Sequence, residues 1–136
     1  MSLGKRLSIE LSKMLIGGKK EYRLSFIGHS MGGLIIRAAI PHLKQFSQKF
    51  YSYISLSTPH LGYLYTPPPL TQAGLWVMNT WNKCDSIQEL SMLDNSDIKE
   101  TTLYKLSCNS GLDRFKKICF IGSSQDEYVP YESARV

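Results

Sequence analysis

No stretch of this chain approaches the roughly 18 consecutive apolar residues that a bilayer-crossing helix requires, because its Leu, Ile, Tyr and Phe are spread along all 136 residues. The start, Met1-Ser2-Leu3-Gly4-Lys5-Arg6-Leu7, lacks the apolar core and small-residue cleavage site of a signal peptide. The expectation is a cytoplasmic chain without an integral membrane segment. Cysteine is scarce: Cys84, Cys108 and Cys119 form an odd set without the paired spacing of a zinc site, and Cys119 lies inside an apolar run. Reduced, mostly buried thiols are expected, with no metal or organic cofactor. There is no internal repeat and no low-complexity tail. Acidic residues are outnumbered, which leaves a formal charge of +5. The positives are nevertheless scattered, the closest cluster being Lys19-Lys20 with Arg23, so a solvated face is expected and nucleic acid is not. Gly17-Gly18-Lys19 lacks the leading Gly and trailing Ser or Thr of a phosphate-binding loop and reads as a helix stop.

With 43% hydrophobic residues the chain can build one core, and it is too short for two domains. Leu3, Leu7, Leu11, Met14 and Leu15 recur at helical spacing after Ser2. Tyr22 to Ile27 reads as a strand, and a helix follows from Met31 until Pro41 ends or bends it. Phe50 to Ser57 is a second strand, closed by Thr58-Pro59-His60-Leu61-Gly62. Between residues 63 and 109 the text changes character, with Pro67-Pro68-Pro69 followed by Leu75-Trp76-Val77-Met78 and Trp81. This reads as an insertion over the strand ends, with short helices near Ser86 to Leu93 and from an Asp97 cap to Leu106. Lys116 to Ile121 is the third strand. Alternating strands and helices imply an α/β fold in three layers with a mainly parallel sheet. The outer strands, Tyr22 to Ile27 and Lys116 to Ile121, would leave edges through which copies could self-associate.

One junction carries chemistry. Gly28-His29-Ser30-Met31-Gly32 lies between the apolar run Leu24 to Ile27 and the helix-forming Gly33 to Ala39, which makes it a G-x-S-x-G nucleophile elbow. The turn is so short that Ser30 must occupy a strained backbone region, and the flanking glycines let strand and helix pack without a Cβ between them. Ser30 Oγ is thereby pushed clear of the sheet. The N–H of Met31, unpaired at a helix N-terminus, points where a carbonyl oxygen would gain negative charge.

The elbow, the Ser57-Thr58-Pro59-His60-Leu61-Gly62 turn and the Gly122-x-x-x-Asp126-x-x-Val129-Pro130 loop together resemble the lipase-like serine esterases of the α/β-hydrolase superfamily. More narrowly, the text around the Pro- and Trp-containing insertion resembles the hydrolase-like C-terminal domain of a large animal protein family named only by sequence similarity. The resemblance runs through most of the chain and implies a partial α/β-hydrolase domain over residues 1–136, acting on an ester or lipid substrate. It places Ser30 as nucleophile, Asp126 as the carboxylate that orients a histidine base, and Met31 as one oxyanion donor. Glu127 and Asp113 are rivals for the acid, and Asp126 could simply form a turn. Two departures stand out: the strands that in such hydrolases precede the first helix, one of which brings the second oxyanion N–H, and the histidine expected after a further strand. The expectation is thus a truncated domain, inactive alone. His29 reads as packing around the turn and His42 as surface. His60 shapes its loop or lines a substrate pocket in preference to acting as base. Trp76, Met78 and Trp81 either line an acyl pocket or form the core of the insertion. The competing reading is a non-catalytic interaction or scaffold module that retains the hydrolase fold.

Overall fold

A computed structural model describes residues 2–16, 21–62, 85–108 and 111–135. Helix α1 (Ser2–Leu15) sets Leu7, Leu11 and Leu15 at four-residue intervals on one stripe, and that stripe packs against the main core. Strand β1 (Leu24–His29) follows, then helix α2 (Met31–Ala39). At Ile40 the winding tightens into a 3-10 segment, Ile40–Lys49, with Pro41 in its first turn, where a missing N–H costs nothing. Strand β2 (Phe50–Leu56) comes next, and after residues 63–84 the described chain resumes with helix α3 (Asp85–Leu90), helix α4 (Thr102–Ser107), strand β3 (Lys117–Ile121) and helix α5 (Tyr131–Ala134).

The three strands are parallel in the order β1-β2-β3, so β2 is central and the two outer strands are those expected from sequence. Gly28 aligns with Ser55 and His29 with Leu56 across the first pair, and Ser55 aligns with Phe120 across the second. Phe26, Phe50 and Tyr53 are buried with Phe115 on one side of the sheet. Phe50 and Phe115 stack with ring centres 4.7 Å apart, while Phe26 meets both edge-on at 5.7 Å, the geometry that aligns positive ring edges with negative faces.

Two expectations need correction. Asp97 caps only the 3-10 turn Ile98–Glu100, accepting from the N–H of Lys99. Thr101 then leaves the helical region and closes that turn through Oγ1, so α4 starts afresh at Thr102, whose N–H is taken by Asp94 Oδ2 at 2.8 Å. Cys108 and Cys119 are exposed, not buried. Cys119 shares a sheet face with Ile27 and Ile121, which are also exposed among the described residues. Cys84, Pro67-Pro68-Pro69, Trp76, Met78 and Trp81 lie outside the described residues.

Candidate active site

Ser30 stands between the last residue of β1 and the first of α2 with φ 53° and ψ −130°, a left-handed backbone that a side chain disfavours and that must be held by its surroundings. Two contacts hold it. The Ser30 N–H donates to Leu56 O at 2.9 Å, tying the turn to the end of β2. Gly28 and Gly33 then touch across the turn so closely that a Cβ on Gly28 would sit 2.5 Å from the Gly33 backbone, while a Cβ on Gly33 would collide with the Thr58 side chain. The second glycine of the G-x-S-x-G motif, Gly32, has nothing within 4 Å of its would-be Cβ. Sterically the close approach belongs to Gly28 and Gly33, one residue beyond the motif.

The Ser30 side chain is buried at 7% exposure, and among the described residues no side chain hydrogen-bonds its hydroxyl. Met31, the first residue of α2, has no carbonyl partner for its N–H inside the helix. Ser30 therefore stands at the N-terminus of α2, where the first N–H groups have no partner within the helix. It is chemically able to attack a carbonyl carbon once a base removes its proton.

Asp126 lies in the loop after β3, at the same end of the parallel sheet. Its Oδ1 accepts from the N–H of Tyr128 at 2.9 Å and of Val129 at 3.0 Å, an Asx-type turn that fixes the loop. Partial burial pushes its carboxyl upward. The Val129 N–H, the Ser57 hydroxyl, the Tyr128 N–H and the charge of His29 outweigh that, and the carboxyl rests below the ordinary carboxylate value. The turn that the sequence allowed at Asp126 is present, built by these two bonds to one oxygen. Ser57 was quoted in the sequence only as part of a turn. It is a second strained serine, with φ 45° at the end of β2, its N–H donating to Ile121 O at 2.8 Å and its hydroxyl holding Asp126.

The three histidines separate clearly. His29 is exposed at the end of β1, not packed inside the turn, because the alternation of the strand sends it to the uncovered face. His42 is exposed on the 3-10 segment. His60 is buried, with Arg37 Nη1 3.0 Å from its Nδ1 and Ser55 Oγ 2.7 Å from its Nε2. A guanidinium can only donate, so Nδ1 accepts and the ring proton sits on Nε2, pointing at Ser55. Burial, and then the nearby Arg37 charge, push the His60 pKa down to about 3. Ser55 hydrogen-bonds the Tyr53 phenol, whose hydroxyl donates to Gly33 O at 3.0 Å, while Arg37 also donates to Leu106 O at 2.9 Å. A buried chain of polar groups thus runs from α4 to the elbow. Arg37 was not singled out from sequence; its signal is a lone cation on an otherwise apolar helix.

Glu127 and Asp113, the rival acids, are exposed. Asp113 sits in the turn before β3, at the opposite end of the sheet from Ser30. A shallow apolar cleft lined by Met31, Leu34, Ile35, Leu90, Leu103 and Leu106 starts at the residue next to Ser30. No described helix is long and apolar enough to cross a membrane.

No solved structure gives a significant match to the chain. The model of one protein family, described as "Putative serine esterase (DUF676)", matches residues 1–136. With the elbow geometry and a match over its whole length, the chain belongs to this serine esterase family.

Proposed function

We propose that the chain carries the nucleophile and acid of a serine esterase and takes its base from a histidine outside these 136 residues. The backbone of Ser30, φ 53° between β1 and α2, is the observation that carries the reading. Ser30 Oγ attacks the ester carbonyl, its proton passes to the imidazole base, and the Met31 N–H receives the oxyanion. The carbonyl–oxygen bond then breaks, the alcohol leaves with that proton, and water releases the acid from the acyl-serine. Asp126 keeps the base in the correct tautomer. The apolar cleft beginning at Met31 takes the acyl chain, and His60 holds the loop after β2 in place of a catalytic role, both of its ring nitrogens being engaged.

Turnover of short- and medium-chain p-nitrophenyl esters tests the missing base. The 136-residue chain alone should be at background, because losing one triad member leaves only residual catalysis from binding and the oxyanion hole. After subtraction of the hydrolysis that imidazole itself causes without protein, added imidazole should raise turnover in the wild type and not in Ser30→Ala. Ser30-dependent turnover without imidazole would show that a histidine of this chain serves as base. Imidazole-stimulated turnover that survives Ser30→Ala would remove Ser30 from the mechanism.

A further inference from the structure

The sequence scatters its positive charges, but a parallel sheet brings every strand start to one end. Arg23 immediately precedes β1, Lys49 immediately precedes β2, and Lys116-Lys117 opens β3. Arg114 lies in the 3-10 turn before β3, and Lys44 lies on the 3-10 segment that leads into β2. Six cations therefore collect at the end of the sheet opposite Ser30 and Asp126, against two nearby carboxylates, Glu21 and Asp113. Among the described residues no carboxylate pairs with Arg23, Lys44, Arg114, Lys116 or Lys117.

Three of the six charges, Arg23, Lys49 and Lys117, lie against aromatic rings. The Tyr51 ring lies under Arg23 at 4.6 Å and within 5.6 Å of Lys117, and the Tyr22 ring lies under Lys49 at 4.0 Å. Lys44 and Arg114 flank an open polar cleft with Ser47 and Gln48 between them. Cations fixed on aromatic rings lose little side-chain entropy when they meet an anion. They also rise from strand starts about 4.8 Å apart and from a neighbouring turn, so they cover an area and not a line. A line of charge suits a nucleic acid strand or an extended acidic peptide. An area of cations with tyrosine rings at the same level suits the headgroup layer of an anionic membrane.

We infer that the strand-start end of this domain, Arg23, Lys44, Lys49, Arg114, Lys116 and Lys117 with Tyr22 and Tyr51, is a peripheral docking surface for anionic lipid headgroups. Because Ser30 lies at the other end of the same strands, docking leaves the elbow facing away from the bound bilayer. The surface acts as an anchor and is not the mouth through which that bilayer's lipids would reach Ser30. The inference is independent of catalysis.

Co-sedimentation with vesicles of phosphatidylcholine alone, or with about 30 mol% phosphatidylserine, tests it without an activity readout. The chain should bind only the anionic vesicles and leave them as salt rises from about 50 to about 300 mM. Each basic residue near such a surface is worth roughly fivefold in partitioning, so the double reversal Arg23→Glu with Lys117→Glu should lower binding by well over roughly tenfold. Lys44→Glu with Arg114→Glu, which leaves all three tyrosine–cation contacts intact, should do the same, and thermal melts verify that each variant is folded. Reversing Lys5 and Arg6, exposed on α1, should leave binding nearly unchanged. Failure of the wild type to bind anionic vesicles would overturn the inference. So would equal losses in the α1 variant, or binding to heparin without binding to the vesicles.

Discussion

Ser30 and Ser57, one after each of two neighbouring parallel strands, adopt positive φ angles of 53° and 45°. Each such backbone costs on the order of 1–3 kcal/mol and survives only where surrounding contacts impose it. Around Ser30 those contacts are the Gly28–Gly33 approach and the Thr58 side chain behind it. A Cβ on Gly33 has no room, whereas one on Gly32 projects into open space. Gly33→Ala should therefore destabilise the fold by roughly 2 kcal/mol or more through overpacking, while Gly32→Ala should be neutral or add up to about 1 kcal/mol through better helix propensity. Chemical denaturation of the two variants measures this, and equal losses would mean that both glycines are sterically required. At this scale the motif was legible because a strand, a sharp turn and a helix must meet at Ser30. Which glycine touches what was not, since that depends on Thr58, contributed by the next strand's loop. The partner of Asp126 was hidden for the same reason: Ser57 is far from it in sequence and reaches it only across β2 and β3.

At the scale of elements, the buried line from Arg37 through His60, Ser55 and Tyr53 fastens α4 and the loop after β2 to the elbow helix. Its weak point is protonation. The unfolded chain binds a proton on His60 near the ordinary value of 6.5, while the folded chain refuses it until about pH 3. The stability that neutral His60 supports is thus complete above pH 6.5 and falls as pH drops toward 3, by up to about 1.4 kcal/mol per pH unit. Down to about pH 4.5 Asp94 and Asp126, whose carboxyls lie below the ordinary value, stay ionised and add little to the slope. The melting temperature should fall between pH 6.5 and about pH 4.5 in the wild type and stay nearly flat in His60→Gln, whose amide can still accept from Arg37 and donate to Ser55. A wild-type profile as flat as the variant's would contradict the assigned network. The strands and the first two helices were legible from apolar periodicity to within a residue or two, whereas the helix expected to reach Leu93 stops at Leu90. The split between the Asp97 turn and α4 was not, because Asp94 caps Thr102 from eight residues away and no local pattern announces it.

The molecule as a whole sorts its chemistry by the direction of its strands. Ser30, Ser57 and Asp126 gather where the strands end, and the cations gather where they begin. That sorting follows from parallel topology, which the alternation of strands and helices predicted. The expected burial of the thiols did not follow: Cys108 is exposed just after α4, and Cys119 is exposed on the sheet face that, among the described residues, also exposes Ile121. The esterase reading rests on Ser30 being a latent nucleophile whose proton acceptor and orienting carboxylate act as a unit. Labelling by a fluorophosphonate probe, run on the 136-residue chain and on the complete product that the proposal calls for, a longer chain carrying the histidine base, tests this most directly. The account predicts no labelling of the chain alone and labelling of the complete product that disappears in Ser30→Ala. It also predicts a drop of several hundredfold or more, roughly, in Asp126→Asn, because a base in the wrong tautomer cannot take the serine proton. A folded complete product that shows no Ser30-dependent labelling would contradict the account and leave a hydrolase-like module that binds partners without catalysing.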